Sequence, residues 1–376
     1  MMWPYLSTLG RACAAASLAL FLESYARAGA PAPRPDAIEG PHAPEHQIAS
    51  LGSFRFASGE TIDNLKVSYV TYGKLNPARN NAILSLQHFG GDHHDNEFLT
   101  GPGKALDSDK YFIIATDFLG NAKQRQDLTT GPTNSGLKMR FPRIIHRDWV
   151  NADYKLVKEY LGIDHVVAIV GTSIGGMNAL QFGVSYPDFA SSIIPIATSP
   201  RVNPQSRLML RHLREVIALD PGWYSGMYDV NPITGSCTAF LGFVPWLTST
   251  EWYLEEKVPD YQKFWYGICL NDAQDVRDIY YQLDGYGEFN IGDTPGFNGD
   301  TRAALGRIKA KTLLIAIKED QIFRREEMQF AREAIPDARY LEISSSAGHA
   351  AGSGRWDAKV DETMNREIAK FLTTIK

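Results

Sequence analysis

The sequence predicts an α/β fold in which helices cover both faces of a mostly parallel central sheet and a helical cap is inserted. Short apolar runs alternate with segments of helical spacing over residues 47–200 and again over residues 307–376. This alternation is typical of parallel strands joined by right-handed helical crossovers. Residues 201–306 are rich in Trp, Tyr and Phe and lack a strong strand pattern, which indicates the cap. A chain of 376 residues with 44% hydrophobic residues is long enough for such a domain.

Each predicted strand is a short apolar run bounded by turn residues, and each predicted helix carries an apolar stripe. The strands are predicted at 65–73, 81–91, 110–120, 165–171, 191–200, 311–320 and 338–344. The helices are predicted at 148–161, 174–186, 324–335 and 357–373. We expect Asp148 to cap the first helix and Gly162 to end it.

The N-terminal residues have the pattern of an export signal. Residues 1–30 carry a basic residue, an apolar run and small residues at a cleavage point, which is typical of a secretory signal peptide. The apolar run is short for the roughly 20 residues of a membrane span. We therefore expect an exported, periplasmic or secreted protein without membrane insertion after signal removal, with a Pro-rich extended lead-in at 31–46. An oxidising compartment would permit Cys237 and Cys269 to pair, which the sequence leaves open.

Charge and composition exclude some classes of partner. The net charge is −5 and the pI is near 6.0, with no run of Lys or Arg. A protein that binds nucleic acid or anionic lipid through charge needs a basic patch. We therefore expect a small-molecule partner rather than nucleic acid.

The segment Gly171-Thr172-Ser173-Ile174-Gly175 lies where a buried strand turns directly into a helix. A serine at such a turn is lifted clear of the sheet, and the glycines remove side chains that would collide there. The pattern therefore predicts that Ser173 is a catalytic nucleophile on a nucleophile elbow. The alternative is a Gly/Ser-rich turn that matches five letters by chance.

A catalytic serine needs a histidine base and an acid that orients it. Asp320 and His349 each follow a predicted strand, at the sheet edge where open α/β sheets bind ligands. We expect both in the catalytic set. Glu319 competes with Asp320, but neighbours on a strand face opposite sides.

The loop at residues 87–95, after the third strand of the sheet, is expected to complete the oxyanion hole. We predict that the N–H groups of Phe89 and Ile174 stabilise the oxyanion. The same loop contains five residues of metal-binding type: His88, Asp92, His93, His94 and Asp95. Adjacent histidines are expected to point apart and no matching cluster follows, so no metal site is predicted.

With these residues placed, the chain resembles the homoserine O-acetyltransferase family of α/β-hydrolases over about residues 62–350. The matching blocks are VSYVTYGKLN, GPGKALDSDKYFIIATDFLG, FPRIIHRDWVNA, LGIDHVVAIVGTSIGGMNALQF and DPGWYSGMY. The resemblance implies an α/β-hydrolase fold with a helical cap, a ping-pong acyl-enzyme on Ser173 and a homodimer through the cap.

Three pocket positions depart from the pattern of that family. Gly90 stands where the family has threonine, and Ala350 stands where the family has an aspartate after the catalytic histidine. Phe240 lies at about the position of the cap arginine that binds the substrate carboxylate in the family. Each lost charged hydrogen bond removes about 1.5–3 kcal/mol of binding. Homoserine is therefore not the expected acceptor.

The expected partner is a small-molecule ester or acyl substrate, and no cofactor is expected. Two enzyme functions share the acyl-enzyme and differ in the nucleophile that attacks it. Export and the absence of charged side chains that would hold the acceptor favour water as the nucleophile that attacks the acyl-enzyme. The expected function is therefore an exported serine hydrolase of the esterase type. The alternative is an O-acyltransferase that moves an acyl group from an acyl-CoA to a hydroxyl acceptor other than homoserine. A non-catalytic binding protein on the same fold is the third hypothesis.

Overall fold

The computed structural model describes residues 46–121, 129–255, 259–271, 274–354 and 356–375. The predicted signal peptide at 1–30 lies outside these residues, as does the predicted lead-in apart from His46.

Eight strands form one sheet, and six of them, β5 to β10, run parallel. The order across the sheet is β1-β4-β6-β5-β7-β8-β9-β10, with β1 and β4 joined antiparallel at one edge. The strands are β1 Gln47–Ser50, β4 Lys66–Tyr72, β5 Ala82–Leu86, β6 Phe112–Thr116, β7 Val166–Thr172, β8 Ala190–Ile196, β9 Lys311–Ile317 and β10 Ala338–Ile343, while β2 Phe54–Arg55 and β3 Thr61–Ile62 form a separate hairpin. The predicted α/β class is confirmed.

Ten α-helices lie in the described part of the chain. Those on the sheet are α1 His146–Tyr154, α2 Ile174–Ser185, α8 Thr301–Gly306, α9 Arg325–Ala334 and α10 Ala358–Leu372. Those of the cap are α3 Pro204–Ala218, α4 Ile233–Leu247, α5 Thr250–Leu254, α6 Tyr261–Asn271 and α7 Val276–Gly287. None of the described helices combines the length and apolar character that a membrane span needs.

The start of α1 differs from the prediction. Asp148 is not the N-cap residue, because the helix already begins at His146. The Asp148 carboxylate instead accepts hydrogen bonds from the backbone N–H groups of Ile145, at 2.9 Å, and Ala57, at 2.6 Å. An acidic side chain in the first helical turn satisfies N–H groups that the helix leaves unpaired. The carboxylate also ties α1 to the segment after β2.

The central strands are buried on both faces because each face has its own apolar core. Leu84 and Leu86 of β5 pack into the core that contains α1 and α2, while Ile83 packs into the core that contains α10. Successive strand residues point to opposite faces of a sheet, so strands covered by helices on both sides are apolar throughout. Because β5 to β10 also run parallel, their C-terminal ends lie at the same edge of the sheet.

A disulfide joins two helices of the cap. Cys237 of α4 and Cys269 of α6 are bonded, with their Cα atoms 5.6 Å apart. The sequence left this pairing open. The bond closes a segment that contains residues 256–258, which lie outside the described residues. It therefore constrains the cap above the sheet.

His146 makes the stability of the fold depend on pH. Burial lowers the pKa of His146 to about 3, although a hydrogen bond to Asn178 acts in the opposite direction. The ring packs against Trp149 and Phe289, and its Nδ1 lies 2.6 Å from the Asn178 side-chain oxygen. The unfolded chain, with a histidine pKa near 6.5, takes up the proton at a higher pH than the folded chain. The stabilisation is therefore complete above pH 6.5 and is lost as the pH falls towards 3.

We expect His146→Gln to remove this pH dependence, because glutamine keeps a donor towards Asn178 and does not titrate. Between pH 7 and pH 5, the wild-type free energy of unfolding should fall by about 2 kcal/mol relative to the variant. Urea denaturation followed by circular dichroism across this range measures the difference. Parallel curves for the two proteins would contradict the assignment.

Candidate active site

Ser173 occupies a sharp turn between β7 and α2. Its backbone has φ of 58° and ψ of −121°, a conformation that a residue with a side chain rarely adopts. A Cβ at Gly171 would lie 2.3 Å from the Gly175 backbone, and a Cβ at Gly175 would lie 2.5 Å from the Leu86 carbonyl oxygen. Glycine at both positions therefore lets the helix start directly against the sheet. Backbone strain held by close packing is typical of functional sites.

His349 lies in hydrogen-bond contact with both Ser173 and Asp320. The Ser173 Oγ is 3.0 Å from the His349 Nε2, and the His349 Nδ1 is 2.7 Å from the Asp320 Oδ2. All three residues are buried. With Nδ1–H donated to the carboxylate, Nε2 faces the serine hydroxyl as a proton acceptor. This geometry matches a nucleophile, a base and an orienting acid.

The two acidic candidates after β9 take different positions. Asp320 contacts His349, and its second oxygen accepts hydrogen bonds from the N–H groups of Ile322 and Phe323, at 2.8 and 2.9 Å. Glu319 instead accepts hydrogen bonds from the Ser344 hydroxyl and the Ser345 N–H. Only Asp320 is placed to hold the ring.

The two predicted oxyanion donors border Ser173. Ile174 directly follows it at the start of α2, and Phe89 lines the same cavity. Within the described ranges, neither N–H donates a hydrogen bond to a protein acceptor. A helix N-terminus adds a positive dipole at this point. Both groups are therefore available to a ligand oxygen.

Two glutamines at the cap hold the loop that carries Phe89. The Gln282 side-chain oxygen accepts a hydrogen bond from the Gly90 N–H at 3.1 Å, and its nitrogen donates to the Gly120 carbonyl at 2.9 Å. The Gln274 side-chain nitrogen donates to the Gly90 carbonyl. Cap and loop are thus fixed to each other beside Ser173. No local sequence pattern indicates this role, since these residues lie over 180 positions from Gly90.

A cavity of about 250 Å³ lies over Ser173 and His349, beneath the cap. The three predicted pocket positions, Gly90, Phe240 and Ala350, all line it. The remaining wall is mostly apolar and comes largely from α3, α4, α6 and α7, and none of the described lining residues is Asp, Glu, Lys or Arg. An uncompensated charge in such a cavity is costly.

Tyr286, at the end of α7, also lines the cavity but was absent from the sequence predictions. It is 1% exposed, and its hydroxyl has no hydrogen-bond partner among the described residues. Burial, and then the nearby Asp320 charge, raise the pKa of Tyr286 well above 10, so the phenol stays protonated. In the sequence it is one aromatic residue among many in the cap, and only the fold identifies it.

The sequence argument against convergent histidines after β5 was wrong. His93 and His94 are adjacent, yet their ring centroids are only 4.3 Å apart. Residues 92–99 form consecutive turns rather than an extended strand, so successive side chains do not alternate between opposite faces. This pair lies outside the residues that line the cavity.

Comparison with known proteins agrees with this geometry. The family model for the α/β hydrolase fold matches residues 86–352. A homoserine O-acetyltransferase of Methanobrevibacter ruminantium is 32% identical over 337 residues, covering 79% of this chain and 68% of the relative. The chain belongs to the homoserine O-acetyltransferase-like family of α/β-hydrolases. The predicted resemblance is therefore confirmed, and the protein is an enzyme of this superfamily rather than a non-catalytic binding protein.

Solved structures of this α/β-hydrolase superfamily have the same fold. The homoserine O-acetyltransferase from Bacillus anthracis superposes with a TM-score of 0.79 at 26% identity, covering 88% of this chain and 97% of that one. The acetyl esterase MekB superposes with a TM-score of 0.81, also at 26% identity, with coverage of 88% and 97%.

The preference for an exported serine hydrolase of the esterase type was wrong. The curated relatives are named as acyltransferases, which favours the alternative drawn from the sequence. The error lay in treating an expected export, together with the absence of charged side chains that would hold the acceptor, as evidence for water. Loss of those side chains changes which acceptor fits the cavity, but it does not leave water as the remaining nucleophile.

We expect Gln282→Leu to lower kcat by about 10- to 100-fold, because the Gly90 segment and the Phe89 N–H lose their support. Gln181→Leu is the matched control. Gln181 is also a buried glutamine bonded to two side chains, Ser185 and Thr294, but it lies outside the cavity lining. Both variants should lose about 1–3 kcal/mol of stability. Steady-state kinetics and urea unfolding separate the effects, and equal kcat values for the two variants would contradict the role of Gln282.

Proposed function

We propose that the protein is an O-acyltransferase that moves an acyl group from an activated donor to a neutral hydroxyl acceptor other than homoserine. An acyl-CoA is the first donor to test. One observation carries the proposal: the contact between Ser173, His349 and Asp320 lies at an apolar cavity whose described lining has no charged side chain. The named activity of the relatives supports transfer over hydrolysis.

The first half-reaction forms the acyl-enzyme. The Ser173 Oγ attacks the thioester carbonyl carbon while His349 Nε2 takes the hydroxyl proton, and Asp320 stabilises the imidazolium. The oxyanion accepts hydrogen bonds from the N–H groups of Phe89 and Ile174. The C–S bond then breaks, and the thiolate leaves with the proton from His349.

The second half-reaction transfers the acyl group. The acceptor hydroxyl gives its proton to His349 and attacks the acyl-enzyme carbonyl. The C–O bond to Ser173 breaks, and His349 returns the proton to the serine oxygen. The products are the acceptor ester and free enzyme, so no net proton or electron is left over.

Two buried polar atoms support a neutral alcohol as the acceptor. Tyr286 and Gln274 are among the residues that line the cavity, and the Tyr286 hydroxyl and the Gln274 side-chain oxygen have no hydrogen-bond partner in the described structure. An alcohol both donates and accepts hydrogen bonds, so it satisfies the amide oxygen and the phenol together. A zwitterionic amino acid would leave its ammonium and carboxylate groups uncompensated there.

The transfer reaction is tested by incubating the enzyme with acetyl-CoA and a panel of neutral alcohols, with homoserine alongside. We expect alcohols to accelerate thiol release and to appear as esters by mass spectrometry, with homoserine at least about 100-fold less effective. Ser173→Ala should lower the rate by about 10⁴-fold or more. Ser236→Ala is the control, since Ser236 lines the cavity without contacting His349. Release of free acid alone with every acceptor would overturn the proposal.

Tyr286→Phe tests the acceptor site separately from the acyl-enzyme. Loss of one neutral hydrogen bond of about 0.5–1.5 kcal/mol should raise the KM for the alcohol about 2- to 10-fold. The rate of acyl-enzyme formation, followed by rapid-quench mass spectrometry, should change little. Equal loss in both half-reactions would instead assign Tyr286 to the Ser173 chemistry.

We also propose export from the cytoplasm, on the pattern of residues 1–30. The Cys237–Cys269 disulfide supports this, because disulfides persist mainly in oxidising compartments. An exported enzyme would use an acyl donor present outside the cytoplasm. Cell fractionation with mass analysis of the mature N-terminus tests the proposal.

A homodimer through the cap is our proposal for the assembly. The cap exposes several large apolar side chains, with Leu208 71%, Leu219 79% and Val230 84% exposed. An interface through the cap would bury these side chains. Light scattering of the purified chain measures its oligomeric state.

A further inference from the structure

Three histidine rings from two distant parts of the chain meet beside the turn at 92–99. His46 precedes β1, whereas His93 and His94 follow β5. The His46 ring centroid lies 4.5 Å from that of His93 and 5.3 Å from that of His94. One nitrogen from each ring lies within 4.8 Å of the other two.

Two of these rings are oriented by carboxylates. The His93 Nδ1 lies 2.9 Å from the Asp117 Oδ2, and the His94 Nδ1 lies 2.6 Å from the Glu97 Oε1. Both carboxylates are almost fully buried. A carboxylate that accepts from one ring nitrogen leaves the other with its lone pair exposed, which is the usual arrangement behind a metal-binding histidine.

The two Nε2 atoms face each other at 3.1 Å. If both Nδ1 atoms carry hydrogen, both Nε2 atoms present lone pairs, which repel unless a proton or a metal ion lies between them. In a tetrahedral zinc site with Zn–N of about 2.0–2.1 Å, neighbouring donors are about 3.3 Å apart. His93 and His94 are close to this spacing, and a nitrogen of the exposed His46 lies within 4.8 Å of both.

The charge around the rings favours a cation. Asp92 and Asp95 act on His93 electrostatically in addition to Asp117. Lys104 approaches this cluster, donating to the Glu97 backbone carbonyl at 2.6 Å. Acidic side chains are thus in excess around the imidazole nitrogens, and a bound divalent ion would offset their charge.

We propose that His46, His93 and His94 bind one divalent transition-metal ion, with Zn²⁺ as the expected metal. Imidazole nitrogens suit zinc, copper and nickel better than magnesium or calcium. Three protein ligands leave the fourth tetrahedral position to water. The ion joins His46, just before β1, to the loop that continues from Phe89. The site lies outside the residues that line the cavity. It takes no part in the chemistry at Ser173.

The binding test uses the complete chain without a histidine tag. The protein is stripped with a chelator, dialysed and titrated with Zn²⁺ by calorimetry, and its metal content is measured by mass spectrometry. We expect one Zn²⁺ per chain and a rise in Tm on binding, because a ligand that binds the folded state stabilises it. Absence of saturable binding at one ion per chain would overturn the proposal, and would leave a proton shared between the rings.

His46→Gln and His94→Gln identify the ligands. Each should weaken Zn²⁺ binding about 100-fold or more and reduce the visible absorption of tetrahedral Co²⁺. The control is His165→Gln, because His165 is exposed and bonds to Asp188 and Ser191 away from the site. Circular dichroism of the metal-free variants checks folding, and His46 is exposed enough for its replacement to leave the core intact. Wild-type affinity in both site variants would refute the assignment.

Discussion

The active site depends on the close approach of β7 and α2 around Ser173. The serine keeps its left-handed backbone because Gly171 and Gly175 allow the strand, the helix and the end of β5 to meet without side chains between them. A larger residue at either glycine would collide with backbone, which cannot move aside cheaply. The packing of the sheet therefore holds the serine hydroxyl above the strand ends, within hydrogen-bond reach of His349.

Residues of the cap hold the loop beside Ser173 and form much of the cavity wall. Gln282 and Gln274 bond to Gly90, so the position of the Phe89 N–H is set by a helix that arrives late in the chain. The same helical region supplies Tyr286 and much of the apolar wall. Shape and chemistry of the cavity are therefore properties of the cap, while the acyl-enzyme chemistry proposed for Ser173 belongs to the sheet. Members of one family can keep the chemistry at the serine and change the shape of the cavity.

Buried polar groups divide into two kinds in this structure. Asp320 has its hydrogen bonds met by His349 and by the backbone of Ile322 and Phe323, which makes it rigid. Tyr286, in contrast, lines the cavity with a buried hydroxyl that has no hydrogen-bond partner in the described structure, and such a group normally requires an explanation. His93 and His94 also need a partner between their rings, because two imidazole nitrogens with facing lone pairs repel and theirs face each other at short range.

The sequence alone determined the alternation of strands and helices, the nucleophile turn and the catalytic candidates Asp320 and His349. These depend on local patterns: apolar periodicity, glycine spacing and position just after a strand. It missed β1 to β3, which are short, and it placed the start of α1 too late. Only the tertiary structure decided the disulfide, the support of Gly90 by Gln282, the role of Tyr286 and the meeting of His46 with His93 and His94. The physical reason is that these contacts join residues far apart in the chain, so no local pattern records them.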